Sequence, residues 1–508
     1  MNEYAEFSSS ETAARKSLVQ HFSISGLFGY RTLSLDSEYA ATILIARNGA
    51  GKTTMLGALD AFLRCQFGRL AELSFQRIEC KLRNIDEVLI LEKKDLDDYL
   101  AKVSDNSAIP KLAKTHELDP GDLLFFVLWE FTALADDRQE LMQHPVFLKV
   151  YNHTSHTLES AERIFRNLWA SINDFESPIL SLKNSIFGAL ADIEIVYLPT
   201  YRRIELSLPD ADDSRYSYKR RPFPSIQARL GLTGRGLHAG NIQFGLSDIS
   251  ARLRSLNQEI MFESNQKYAE ISANIIDDLI SGSFEKQHPS LADRPTREEL
   301  DIFFDRLRSS SREWGFYGPY GPNKIPDFGK IYSGNIPPNS EKFLTYFLGK
   351  LNSVIQKTRN TQQVVEKFIE SCNRYLSAAD PTTDRDGASN LDGKVLKLDR
   401  ASLDVSVWRS RPDREIPLDA LSSGEKQMIS LFARLYLYPK EKLVLIDEPE
   451  LSLSIDWQRK ILPDILNSNL CKQVIAITHS PFIFDNELDA FAKALRIEIS
   501  DNGGSESA

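Results

Sequence analysis

The 508-residue sequence predicts an α/β fold. The two ends of the chain build one mostly parallel central sheet with an antiparallel β subdomain beside it, and a large helical lobe is inserted between them. Three observations predict it. The stretch "ILIARNGAGKTTML" (43–56) passes from an apolar run through a glycine-bearing loop into the start of a helix. Near the other end, "VLIDEPELSL" (444–453) and "VIAITHSP" (474–481) are apolar runs that each finish in polar side chains. Between them, about residues 96–190 and 206–394 carry apolar residues at three- and four-residue spacing, the period of a helix.

In chain order, residues 1–17 read as a flexible tail, and 18–95 as the N-terminal half of the α/β domain. Within that half, "VQHFSISGLFGYRTLSLD" holds two short β-rich runs around Gly26 and Gly29–Tyr30, and "ATILIA" (41–46) is a buried strand. "TTMLGALDAFLRCQF" (53–67) is a helix; "SFQRIECKLR" and "EVLILEKKD" are short strands of an antiparallel sheet. Residues 96–190 are a helical insertion, and 191–205 return to the sheet as "IEIVYLPTYRRIE", a strand ending in a loop rich in arginine and tyrosine. Residues 206–394 form the rest of the helical lobe. There Leu246, Ile249, Leu253, Leu256 and Ile260 make a seam of two to three heptads, too short for a long arm. "EKFLTYFLGKLNSVIQKTRNTQQVVEKFIESCNRYL" is one long helix or two joined ones, followed by a polar linker over 377–394. Residues 395–490 give the C-terminal half of the α/β domain, and 491–508 a second tail.

Composition narrows the function classes. Hydrophobic content of 42% and charged content of 26% are ordinary for a globular protein, and no apolar run reaches the ~20 residues that span a bilayer. The N-terminus lacks a charged-then-apolar signal pattern, so a cytoplasmic location is expected. Cys65, Cys80, Cys372 and Cys471 are scattered without metal-ligand spacing and read as buried free thiols. A formal charge of −10 argues against a whole-surface nucleic-acid binder, while a local basic groove stays open.

The chemistry sits in four motifs. Ala46-Arg47-Asn48-Gly49-Ala50-Gly51-Lys52-Thr53, followed by Thr54, fits the phosphate-binding pattern G-x-x-x-x-G-K-[ST] apart from Ala46. Alanine is strained at that first turn if φ is positive and costs little if φ lies in the β region. Backbone N–H groups of the loop cradle phosphate, Lys52 sits on the β- and γ-phosphates, and Thr53 offers its hydroxyl to Mg²⁺. At the end of the 443–446 strand, Asp447 is placed to hold the hydration shell of Mg²⁺ and Glu448 to polarise water toward the γ-phosphate. His479, at the end of another apolar strand, is a candidate γ-phosphate contact. In "LSSGEKQMISLFARLYL" (421–437), Ser422, Ser423, Gly424 and Glu425 open a helix whose Met428, Ile429, Leu431, Phe432 and Leu435 face the core. Such a helix start is a second anion site, able to close over a γ-phosphate held by another subunit.

Taken in this order, the motifs resemble ABC-type P-loop ATPase heads. The resemblance makes Lys52 and Thr53 Walker A, Leu421–Gln427 the signature, Asp447 and Glu448 Walker B, and His479 the switch histidine. The wording "LSSGEKQ…LIDEPELSLSIDWQ…ITHSPFIFDN" is most similar to a bacterial branch near the OLD and RecF proteins, which includes ATPase subunits of the PARIS and Septu anti-phage systems and retron-linked relatives. It covers about residues 18–95, 395–490 and the 191–205 strand. On this match a D-loop residue is Ser452, Ser454 or Asp456. A Q-loop role falls to Gln76 or to the Tyr201–Arg203 loop, where Arg202 or Arg203 either senses nucleotide or is a solvated charge pair. The stretch after His479 is short for the Toprim nuclease domain of OLD proteins, so any nuclease is expected as a separate polypeptide.

The resemblance implies an enzyme that binds ATP and Mg²⁺ and hydrolyses ATP. It implies a homodimer or higher oligomer built around ATP, acting as sensor and scaffold in anti-phage defence. The implied partners are a separate effector, a nuclease, and either nucleic acid or a phage protein, with no membrane. The competing expectation is a RecF- or SMC-like ATPase of DNA repair or chromosome maintenance, for which only "YKRRPFP" (218–224) and "YRR" hint at a basic face.

Overall fold

A computed structural model describes residues 12–499 except 48, 105, 132–140, 143, 155–156, 173–176, 200–245, 282–293, 314–330, 333–336, 378–392, 400–403, 411–412, 418–419 and 469. Two compact units emerge: Met1–Gln243 with Pro439–Ala508, and Phe244–Tyr438.

The first unit holds two five-stranded sheets. In the parallel sheet the order is β12 (Ala492–Ala494), β3 (Ala41–Ile45), β11 (Cys471–Thr478), β10 (Glu441–Asp447) and β6 (Ile193–Leu198). The register sets Val444 beside both Val474 and Val196, and Ala476 beside Ile43. Strands β3, β10 and β11 are nearly continuous apolar runs because both faces of a parallel sheet are covered. The antiparallel sheet has the order β13 (Arg496–Ile499), β2 (Arg31–Asp36), β1 (Val19–Leu27), β4 (Arg77–Leu82) and β5 (Leu89–Glu92). Its strand β4 alternates half-buried and buried residues, the signature of a sheet covered on one face.

Between the sheets runs α1 (Lys52–Leu63), whose residues are buried almost all round. Its core partners include Phe22 and Phe67, both edge-on to Phe62. A buried glutamine ties the two sheets. Gln473 of β11 accepts from the N–H groups of Leu18 and Val19 and donates to Val19 O and Ser37 Oγ, so its amide is fully used. Helices α2 (Lys93–Ser104), α3 (Ala108–Thr115), α4 (Pro120–Phe125), α5 (Pro145–His153), α6 (Leu158–Ile172) and α7 (Pro178–Leu190) join the same core, centred on Phe126, Phe147 and Phe165.

The second unit pairs two long helices, α8 (Leu246–Ser281) and α10 (Pro338–Leu376), with α9 (Arg297–Glu313) packed on α8. A meander of β7 (Lys394–Leu398), β8 (Val405–Ser410) and β9 (Asp413–Ile416) follows, then α11 (Ser423–Tyr436), whose Phe432 meets Tyr375. Helix α12 (Ile455–Leu466) belongs to the first unit and joins β10 to β11.

Four expectations change. Residues 12–17 are not a tail: Thr12, Ala13 and Ser17 are buried, and Lys16 bridges to Tyr39. Residues 492–499 are not a tail either, because β12 extends the parallel sheet and β13 the antiparallel one. Helix α8 runs 36 residues, about 54 Å at 1.5 Å per residue, well past the seam at 246–260. The stretch 395–490 divides: β7–β9 and α11 cluster with the long helices, and only residues from 439 onward cluster with the phosphate loop. The segment 338–376 is one helix, and all four cysteines are buried free thiols. Among the described residues no helix is long and apolar enough to cross a membrane.

Candidate functional site

The phosphate loop leaves β3 at Ala46, which keeps a negative φ, so alanine is accommodated there. Its N–H donates to Thr478 O at 3.3 Å, holding the loop's base against β11. Gly49 and Gly51 both take positive φ, 78° and 93°. At Gly51 the backbone angle requires glycine, and a Cβ would also lie 2.9 Å from Leu33 Cδ1, so that side chain would have to shift. Gly51 caps α1, and Met55 N–H donates to Gly51 O at 2.9 Å. The first turn of α1 therefore points Lys52, Thr53 and Thr54 out of the loop, with the positive end of the helix behind them.

Strand β10 delivers the acids to the same place. Thr53 Oγ1 donates to Asp447 Oδ2 at 2.6 Å, and Lys52 Nζ pairs with Glu448 Oε1 at 2.8 Å. Lys52 is only 5% exposed, so this ion pair is well shielded from water. Glu448 sits at φ 51° while its N–H still bonds to Ile477 O at 2.8 Å. A glutamate in the left-handed region is uncommon and is held only where its surroundings fix it.

From β11, His479 follows Thr478. Its Nδ1 lies 2.8 Å from Glu450 Oε1 and 3.8 Å from Glu448 Oε1, and the side chain is 48% exposed. Four of the sequence candidates — Lys52, Asp447, Glu448 and His479 — thus meet at the ends of adjacent parallel strands, with Thr53 beside them.

Glu450 is the residue that sequence reasoning missed. It accepts from Thr478 Oγ1 at 2.7 Å and from the His479 N–H at 3.0 Å, and is itself buried. Gln458 of α12 donates to Glu450 O and Leu453 O and accepts from Ser480 Oγ, locking the loop after β10 to the loop after β11. Of the D-loop candidates, Ser452 has φ 63°, Ser454 is the N-cap of α12 and Asp456 lies in its first turn.

Beneath the loop, Asp60 of α1 is fully buried between Arg64 Nε at 2.6 Å and Arg69 Nη1 at 2.7 Å. Burial pushes its carboxyl up, but the two guanidiniums outweigh that and hold it below the usual carboxylate range. Arg64 also donates to Ile195 O on β6. Burial, with Asp447 and Asp60 nearby, pushes the Tyr197 phenol well above its ordinary value. Arg31 donates to Gly49 O at 3.3 Å while its guanidinium lies over Tyr30, 5.1 Å from the ring centroid. Gln76 backs this hairpin: a Cβ on Gly26 would strike its side chain.

In the second unit, Ser422 caps α11. Its Oγ accepts from Glu425 N–H at 3.3 Å, and Glu425 Oε2 accepts from Ser422 N–H at 2.6 Å and from Lys394 Nζ at 2.7 Å. Ser422 and Ser423 are exposed, Gly424 is buried, and Met428, Ile429, Leu431, Phe432 and Leu435 are all in the core, as the spacing predicts. Asn48, Arg202 and Arg203 lie outside the described residues, as do the basic stretch 218–224 and Tyr201.

The first unit carries a glycine-bearing loop feeding a buried helix and acids at the end of β10, two strands from β3, and the second unit carries a capped Ser-Ser-Gly helix. The fold is α/β, with a phosphate-loop-like turn between β3 and α1. Residues 366–485 match the family model "AAA domain, putative AbiEii toxin, Type IV TA system", a stretch that contains α11, the acids of β10 and His479 but not the phosphate loop. Similar solved structures include the Pyrococcus furiosus Smc head domain with an extended coiled coil bound to the C-terminal domain of ScpA. It is 14% identical, covers 95% of both chains and has a TM-score of 0.31. The recombination mediator RecF with a nucleotide analogue is 12% identical, covers 93% of this chain and 95% of that one, and has a TM-score of 0.26. No curated protein matches.

Proposed function

We propose that the protein binds and hydrolyses ATP, and that ATP joins two copies of the chain. The observation that carries this reading is the meeting of Lys52, Thr53, Asp447, Glu448 and His479 around one spot. On ATP binding Lys52 exchanges Glu448 for the β- and γ-phosphates, and the loop amides around Gly49–Lys52 take the remaining phosphate oxygens. Glu448, released from Lys52, accepts a proton from water as its oxygen attacks the γ-phosphorus and the bond to the ADP oxygen breaks.

Thr53 and Asp447 suit Mg²⁺, because two hard oxygens 2.6 Å apart face the loop and this ion needs only one or two protein oxygens beside phosphate and water. When bound, the ion neutralises charge on the β- and γ-phosphates.

The exposed start of α11 supplies the mate's contribution: the Ser422 and Ser423 hydroxyls and the helix amides over the γ-phosphate. A Lys52→Ala chain is expected to lose ATP turnover by at least ~100-fold. Equal turnover in this variant and the wild type would refute the site.

The sensor and scaffold role in anti-phage defence, controlling a separate nuclease, rests on the motif wording and on the two-component character of the system that the matching family's description names. Co-purification with a neighbour-encoded effector tests it. A repair or chromosome-maintenance role keeps one specific support, the side-by-side long helices α8 and α10. Salt-dependent binding to duplex DNA ends would favour that second role.

A further inference from the structure

We infer that Glu450 is a positioning residue for hydrolysis: it fixes the tautomer and aim of His479, making the two a carboxylate–imidazole dyad. This rests on the ATPase reading above. The carboxylate accepts from Thr478 Oγ1 at 2.7 Å and from the His479 N–H at 3.0 Å, and His479 Nδ1 lies 2.8 Å from its Oε1 as an ion-pair contact. A carboxylate only accepts, so a ring nitrogen this close to it is favoured with its hydrogen on Nδ1 rather than with a bare lone pair there. Nε2 is then the nitrogen left to face the nucleotide. As an imidazolium it donates to a γ-phosphate oxygen, with its charge balanced by Glu450; as a neutral ring it accepts.

The holder is itself rigid. Glu450 is 5% exposed at its side chain, and its carbonyl oxygen accepts from Gln458 Nε2, which also ties Leu453 and Ser480. His479 is by contrast half exposed, and its close side-chain contact is the Nδ1–Glu450 pairing, so its ring direction depends on that contact. Glu448 lies 3.8 Å from the same Nδ1, beyond hydrogen-bond distance, which keeps its carboxylate for Lys52 or water. Three carboxylates at one strand end therefore divide the work. Asp447 faces Thr53, Glu448 faces Lys52, and Glu450 faces the histidine.

The test compares wild type, Glu450→Gln, Glu450→Ala, His479→Ala and the Glu450→Ala/His479→Ala double variant in steady-state ATP turnover. Imidazole ¹⁵N NMR on the full chain reads the His479 tautomer. The dyad predicts Nδ1–H in wild type and in Glu450→Gln, which retains an acceptor, and a shift toward Nε2–H in Glu450→Ala. It predicts a fall in kcat of roughly 100-fold for Glu450→Ala, with KM within about threefold, partial recovery in Glu450→Gln, and a double variant no slower than His479→Ala alone. An unchanged tautomer in Glu450→Ala, or losses that multiply in the double variant, would overturn it. Failure of the wild type to turn over ATP would instead overturn the ATPase reading, while the tautomer comparison would still decide the Glu450–His479 pairing.

Discussion

Glu448 leaves β10 at φ 51°, a conformation costing about 1–3 kcal/mol, and it is held there by the proposed nucleotide site: Ile477 O on its N–H and Lys52 on its carboxylate. Glu448→Gln keeps the shape and removes the base. It is expected to bind ATP, to unfold thermally within a few degrees of wild type, and to lose turnover by ~10²–10⁴. A variant that still hydrolyses ATP at the wild-type rate would remove Glu448 from the mechanism. Gly51→Ala carries both a strained φ and the Leu33 contact, so it is expected to cost about 1–3 kcal/mol in denaturant unfolding and to weaken nucleotide binding. Lys52, Thr53, Asp447, Glu448 and His479 were legible in the sequence because each ends an apolar run or opens a helix. Glu450 was not. Its partners lie 28 and 29 residues away and reach it only once β10 and β11 pair in register; the one available signal was a third carboxylate following Asp447 and Glu448.

Below the phosphate loop, the stability of α1 depends on a buried charge cluster. Removing the carboxylate by Asp60→Ala takes from the buried Arg69 its carboxylate partner at 2.7 Å and is expected to cost about 3–5 kcal/mol in denaturant unfolding. The folded pKa of Asp60 lies below its unfolded value of about 3.9, so its contribution is complete above that value and is lost as pH falls through the folded pKa. The difference in unfolding free energy between wild type and Asp60→Ala should therefore be constant from pH 7 to 5 and shrink in stronger acid. A difference that grew on acidification would contradict the cluster. At this scale the parallel strands and α1 could be read from unbroken apolar runs and helical spacing. Strands β12 and β13 could not: they are three and four residues long, and the Arg-Ile-Glu-Ile alternation of β13 is too short to stand out and is exposed throughout. Helix α8 outran its seam because beyond Ile260 only Ser264, Ile271 and Ile275 are buried along it, too sparse a stripe to read as a continued heptad.

For the molecule as a whole, the two chain ends meet in one parallel sheet, β3 pairing with β11 and β11 with β10, as the motif order predicts. Helix α11 clusters with the long helices, a grouping set by packing of Phe432 on Tyr375 and of α10 on β7, contacts across tens of residues that local periodicity does not encode. The central claim is that each ATP is held by Lys52 of one chain and Ser422–Gly424 of another. Mixing Lys52→Ala chains with Ser422→Asp chains tests it most directly, since each variant alone lacks half of every site. The account predicts that each is inactive by itself and that the mixture regains ATP turnover, because the mixed pair contains one site with both halves intact. A mixture as inactive as its separate components, with mixed pairs verified by mass, would contradict it.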